Sequence, residues 1–436
     1  MTDEVPVRSI LTQADDLCRE AGLRTRWEQN SWDKSSRLEV GVQNGRYTRW
    51  RHIAEHEARI IIADGVPPVT CLGDYEAVLH TDTLELEAGI GDSTPAQRNI
   101  AFSLSAIPGV VVEDEGIPEH NREYGNWVFS LNSTHQQWSA EVGKASRRFV
   151  VFGPDFFRRG VTLKIRGIVK SDKHDEAVAM LEEVGQAILF EIDLRYNISA
   201  NISPISWRTR TTRVDSRGDR SPVRRIPVEV SKDCPTLPRS VYPPKPLALY
   251  RYARSAINMP LLQYLAFYQV IEYYFASYFH REILNRMKQE LLDPRFSPQN
   301  EVHLNRLISL ATSHGKGSVP EKEQLRAAVR ACVSAPLLEE YLTEPRRNEF
   351  FTGKQQPIKG IPRIDLNGSA DPRDQVSDRI YDIRCRIVHS KSELTEYPDL
   401  ILPFSKEADA LDFDIDLVRY LAQRVLVSRA EPLRVL

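Results

Sequence analysis

The chain has 436 residues, with 58 Lys and Arg against 60 Asp and Glu, a formal charge of −2 and 41% hydrophobic residues. That length accommodates two or three domains with sizeable cores, and the balanced charge excludes nucleic-acid binding through overall charge, leaving only local patches. The five cysteines, Cys18, Cys71, Cys234, Cys332 and Cys385, lack C-x-x-C spacing, which excludes a disulfide framework and a zinc ribbon and fits a reducing cytoplasm.

Met1 to Pro6 has neither the basic nor the apolar region of a secretory signal, and no run reaches the roughly 18 apolar residues of a membrane span. A soluble cytoplasmic protein with no membrane partner is expected. Val7 to Ala21 reads as a helix, with Ile10, Leu11, Ala14 and Leu17 on one side and Gly22 as its stop.

From Thr25 to about Phe152 the signals are mostly those of strands. Arg59–Ala63 is a short apolar run closed by Asp64-Gly65, and Tyr75–Leu79 and Thr83–Glu87 pair around His80-Thr81-Asp82. Ala101–Leu104 and Asn126–Leu131 alternate as half-buried strands do, and Arg148–Phe152 ends at Gly153-Pro154. Thr162–Val169 adds a strand and leads into a helix from Lys173 to about Tyr196. All six tryptophans fall in the first 207 residues, so this half has a core of its own kind. Residues 1–200 are therefore expected to form a β-rich α+β domain that binds or senses, without chemistry of its own. His52 and His56 are four apart and would share a face of a helix. Spacing supplies no third ligand, so the pair reads as an exposed polar face and no metal or other cofactor is expected.

Residues 201–246 are rich in Pro, Ser and Thr and read as a helix-breaking linker. The linker is also basic. Arg208, Arg210, Arg213, Arg224 and Arg225 are candidate contacts to RNA phosphates, beside the plainer reading of a solvated connector.

Helices dominate residues 247–436. Pro260 to about Leu284 is too apolar all round for a surface helix, and Glu272 is the only carboxylate of its first part, Pro260–Phe275. Asn300–Thr312 follows, then a helix opening at Ser318-Val319-Pro320-Glu321 with the spacing of a capping box. Pro336–Leu342 adds a further turn or two, and a loop from Phe350 to Ala370 is long enough to act as a substrate-side flap. The last helix, Lys406 to about Arg429, carries Leu411, Ile415, Val418, Leu421, Val425 and Leu426 inside.

Between that loop and the last helix lies the stretch that carries chemistry. Asp371 and Pro372 begin a helix, and Val376, Ile380, Ile383 and Ile387 form its buried stripe. Arg384 and His389 stand near its end, followed by Ser390 and Lys391. Metal-free RNA cleavage needs a group that moves a proton at the ribose 2′-OH or the leaving 5′-oxygen, and a fixed cation on the phosphorane charge. Histidine titrates near neutrality, and arginine offers a planar fork of donors that fits phosphate.

The segment Tyr381-Asp382-Ile383-Arg384-Cys385-Arg386-Ile387-Val388-His389-Ser390-Lys391 resembles the motif helix of HEPN domains, and its ending looks like the Apea-like branch. Cys385 stands where a polar residue usually follows the arginine. The resemblance implies an all-α bundle over 247–436 that forms a homodimer and cleaves RNA without a metal. Arg384 and His389 would be catalytic, with Glu272 and Lys391 supporting. It also implies a role in bacterial antiviral defence or as a toxin, with a phage or host protein as trigger at the first domain. Residues five apart on a straight helix sit about 140° and 7.5 Å apart, so Arg384 and His389 meet only if the helix loosens or two copies share a cleft. A non-catalytic helical module for dimerisation or RNA binding is the alternative, with Arg384 in a structural ion pair and His389 answering the helix dipole.

Overall fold

The computed structural model describes residues 7–29, 36–92, 100–112, 127–132, 137–152, 160–204, 230–312, 320–388, 400–403 and 405–433. It is an α+β protein, β-rich in its first half and largely helical in its second. The chain divides into two compact units, one of Met1–Asp219, Val228–Val241 and Glu431–Leu436, the other of Arg220–Pro227 and Tyr242–Ala430. The final strand, Glu431–Pro432, pairs with Ser240–Val241 and so belongs to the first unit.

In the first unit an antiparallel sheet runs Val69–Cys71, Ala77–His80, Glu85–Asp92, Val161–Arg166, Ser139–Lys144, Trp127–Leu131, Val111–Val112 in spatial order, and Ala200–Ile202 also pairs with Glu85–Asp92. Alternation sends successive residues to opposite faces, so Leu79 enters one core and its neighbour Val78 another. The first core lies under the helical stretch His174–Tyr196, which contains a π-helical turn at Leu181–Gly185. The second is closed by the helices Val7–Glu20, Glu55–Asp64 and Arg147–Phe152 and by the three-stranded meander Arg24–Gln29, Ser36–Asn44, Tyr47–Ile53. Gly45 supplies the positive φ of +58° that the two-residue hairpin between Asn44 and Tyr47 needs. From residue 230 to 241 the chain runs along the first unit, with Tyr196 donating to the Asp233 carbonyl at 2.6 Å.

Three runs that read as strands are helical. Arg59–Ala63 lies in Glu55–Asp64, Ala101–Leu104 in Ile100–Leu104, and Arg148–Phe152 in Arg147–Phe152. Short apolar runs fit either state, and local capping decides two of them. The Glu57 carboxylate accepts from the Ala54 amide at 2.6 Å, and Ser146 Oγ accepts from the Phe149 amide at 3.0 Å. His52 ends on a strand while His56 lies on the following helix, so the expected shared face does not form.

The large sheet is stitched by one buried carboxylate. Glu87 accepts from the Ser146 amide and the Thr162 hydroxyl, both at 2.8 Å, from the Ser146 hydroxyl at 2.5 Å, and faces His80 Nε2 at 3.1 Å. His80, Glu85 and Glu87 have ligating atoms within 4.8 Å of one another, but protein donors already use the Glu87 oxygens and Arg166 holds Glu85. The group is a structural hub. Burial works to raise the Glu87 carboxyl, yet the His80 and Ser146 donors outweigh it and hold it below the usual carboxylate range. A depressed carboxyl contributes stability above its unfolded pKa that is lost as pH falls through the folded one. Glu87→Gln is therefore expected to cost about 1–3 kcal/mol at neutral pH and to flatten the loss of stability below about pH 4, read by urea unfolding across pH.

Candidate active site on the motif helix

The helical unit is built around Pro260–Glu272, which packs against Pro244–Ser255 on one side and Asp412–Ser428 on another. Tyr264, Phe267, Tyr268, Val270 and Ile271 are all buried, as an apolar central helix requires. The motif helix, Pro372–Val388, begins as its sequence indicates, with Asp371 Oδ1 accepting from the Arg373 amide at 2.9 Å. Val376, Ile380 and Ile383 are buried, and Ile387 is half-buried.

The same inner face carries an arginine. Arg379 has a side chain with 0% exposure and bonds Asp414 of the last helix through two nitrogens, at 2.6 and 2.9 Å. Its Nη1 also donates to Gln356 Oε1 at 2.8 Å and to the Pro362 carbonyl at 2.9 Å, and its guanidinium lies over the rings of Phe350 and Phe351. Arg386 donates to the Lys359 carbonyl, and Gln375 bonds the Asp365 backbone in both directions. The segment expected to be a flap is thus pinned to the motif helix, and Ile358, Ile361 and Ile364 are buried beneath it. Its length serves packing.

A second helix, Glu321–Cys332, runs antiparallel along the motif helix and fixes its register. Arg330 bonds Asp374 at 2.8 Å, Arg326 bonds Asp378 at 2.8 and 2.9 Å, and Lys322 reaches both Asp378 and Asp382 at 3.5 Å. Both partners repeat every four residues, which places each row on one helix face. At the last rung the polarity reverses: the carboxylate of Glu321 meets Arg384 at 3.1 Å. Glu321 Oε1 also accepts from the Tyr268 hydroxyl at 2.7 Å, and the Arg384 guanidinium sits 5.6 Å from the Tyr268 ring centre.

Glu321 therefore takes the position expected of Glu272. Its carboxylate turns toward Tyr268 and Arg384, and Ser318, its expected capping partner, lies outside the described residues. Glu272 is solvent-exposed but close enough that partial desolvation and then the Glu321 charge push its carboxyl up while Arg384 pulls it down. Burial opposes the charge on Arg384, but Glu321 and Tyr268 more than offset this, so the guanidinium is held firmly protonated. Cys385 is buried beside it. His389 and Lys391 lie outside the described residues, as do Arg208, Arg210, Arg213, Arg224 and Arg225.

Within the described residues, then, Arg384, Tyr268, Glu321 and Glu272 are brought together. In sequence Glu321 read only as half of a capping box and Tyr268 only as part of an apolar run, neither as a partner of Arg384. The rows Lys322/Arg326/Arg330 and Asp374/Asp378/Asp382 are the signal that would have paired the two helices. Separately, the first unit carries a groove of about 880 Å³ lined in part by Asn44, Tyr47, Tyr75, His174 and Glu182, the last in the π-helical turn. No helix among the described residues is long and apolar enough to cross a membrane. Comparison with protein-family models, with curated proteins and with solved structures finds no match to this chain.

Removing one partner of a buried pair leaves an uncompensated charge. Asp414→Ala is therefore expected to cost about 3–5 kcal/mol and lower the melting temperature by on the order of 10 °C. Arg379→Met with Asp414→Leu should recover most of that loss in a thermal melt. A double variant as unstable as the single one would show that the loop contacts of Arg379, and not its charge pairing, hold the helix.

Proposed function

We propose that the helical unit is a metal-independent endoribonuclease of HEPN type, acting in bacterial antiviral defence or as a toxin, with Arg384 and His389 as its catalytic pair. The observation that carries the reading is the setting of Arg384. Near its end the motif helix presents a protonated arginine whose side chain is still 16% exposed, five residues before a histidine in a motif that resembles the HEPN signature.

In this mechanism the His389 imidazole takes the proton of a ribose 2′-OH, and the 2′-oxygen attacks the adjacent phosphorus. Arg384 binds the nonbridging oxygens as charge gathers on them. The bond to the 5′-oxygen breaks and that oxygen takes a proton from the imidazolium formed at His389, leaving a 2′,3′-cyclic phosphate and a 5′-OH. Lys391 adds local positive charge, and the arginines of residues 208–225 draw RNA toward the cleft. Two copies share that cleft, as the HEPN resemblance implies. The first unit restrains the nuclease until a phage or host component engages it, and its open groove offers a surface for such a trigger.

One observation favours a second reading. The ion pair of Arg384 with Glu321, beside the Tyr268 hydroxyl, is also what a purely structural arginine would make, and it suits a non-catalytic module for dimerisation or RNA binding. Cleavage of total RNA in EDTA separates the two. Wild type should cut, while His389→Ala and Arg384→Ala should lose at least about 100-fold in rate yet melt as folded proteins. Equal behaviour of all three proteins would favour the structural reading.

A further inference from the structure

The groove of the first unit, about 880 Å³, has the size of a small-molecule site, and its walls hold one another in place. The Asn44 side chain donates to the Gly73 carbonyl at 3.0 Å and accepts from the Gly73 amide at 2.9 Å, which joins the hairpin to the loop at Gly73. His174 Nε2 lies 3.0 Å from Asn44 Oδ1, and its ring packs so closely on Gly45 that a Cβ there would come within 3.0 Å of it. Tyr75 is fixed at two points. Its hydroxyl donates to Glu182 Oε1 at 2.9 Å, and its backbone pairs with Pro204. Such walls need little ordering when a ligand arrives.

The chemistry of the lining selects the ligand. Asp74, Asp175, Glu176 and Glu182 only accept hydrogen bonds when ionised, whereas Arg46 and Lys173 only donate. A ligand of one charge is repelled by part of this lining, whichever sign it carries. A hydroxyl is uncharged and both donates and accepts, so a molecule bearing several of them satisfies both kinds of group. Two aromatic rings complete the pattern. Tyr47 is 79% exposed and Tyr75 half-buried, and both line the groove. The negative face of an aromatic ring attracts polarised C–H groups, and a sugar ring presents a patch of these beside its hydroxyls.

We infer that the groove is a saccharide site, with Tyr47 as the stacking surface and Arg46, Lys173, Asp175 and Glu182 as partners of the hydroxyls. The inference rests on the reading above only for the groove's role as a trigger surface, and it names the chemistry that surface takes. It is read by binding without RNA, so its failure leaves the cleavage reading intact, and failure of cleavage leaves the saccharide site standing.

The test is saturation-transfer NMR of the full chain with millimolar glucose, galactose, mannose, N-acetylglucosamine and ribose, each beside its methyl glycoside. At least one sugar should take up saturation. Tyr47→Ala should weaken its binding about 5-fold or more, while Tyr47→Phe retains it. Both variants should melt as wild type does, since the side chain lies in solvent. A methyl glycoside that binds as well as its free sugar assigns the groove to the end of a glycan, and one that fails assigns it to a free reducing sugar. Saturation of no sugar would overturn the inference, as would saturation that Tyr47→Ala leaves unchanged. Calorimetric binding of pyrophosphate lost in Arg46→Ala, or of spermidine lost in Asp175→Asn, would give the groove to a charged ligand and overturn it too.

Discussion

Arg379 and Asp414 form the contact on which the helical unit depends. Both side chains are removed from water, which costs several kcal/mol for each ion, and only close two-nitrogen geometry with further acceptors offsets it. Those further acceptors are the Gln356 side chain and the Pro362 carbonyl, so a single guanidinium ties together the motif helix, the last helix and the long loop that precedes the motif helix. The arginine lies on the same face as Val376, Ile380 and Ile383, and it converts an ordinary apolar stripe into a face with one rotational setting. Once that face is fixed, the outer face of the helix is fixed too, and Arg384 with it.

The outer face is ordered by weaker forces. Half-exposed ion pairs such as those of Arg326 and Arg330 contribute roughly 0.2–1 kcal/mol each, too little to hold two helices together. Their value lies in register, because a slip of one residue would break every rung. The reversal at Glu321 and Arg384 matters for the same reason. Three carboxylates run along the motif helix, and a cation, Arg384, appears where the ladder ends. Glu321 and Tyr268 restrict the rotamers of Arg384 and so hold its remaining donors in one orientation.

Much of the architecture was legible in the sequence and the partners were not. The 3.6-residue period of Val376, Ile380 and Ile383 and the Asp371-Pro372 start identified the motif helix, while the apolar run after Pro260, read as one helix to about Leu284, is two, Pro260–Glu272 and Phe275–Leu292. The runs at residues 59–63, 101–104 and 148–152 were misread, since four or five apolar residues carry too little period to separate strand from helix. Long-range pairing is harder still. Glu272 was the carboxylate that stood out locally, but Glu321, about fifty residues further on, is the one delivered to Arg384. Likewise, nothing local to Arg379 announces Asp414, because a buried charge looks like a surface charge until the fold closes over it. The site could be read only as far as one helix reaches.

The central claim is that the motif helix carries a nuclease that uses the substrate's own 2′-hydroxyl. The chemistry of the cut ends tests it most directly. RNA treated with the purified protein in EDTA should bear 2′,3′-cyclic phosphates, detectable because the 3′ ends resist polyadenylation until the phosphate is removed. The 5′ ends should accept phosphate from a kinase without prior dephosphorylation. Fragments with 5′-phosphates and free 3′-hydroxyls, formed only when a divalent ion is supplied, would contradict the account.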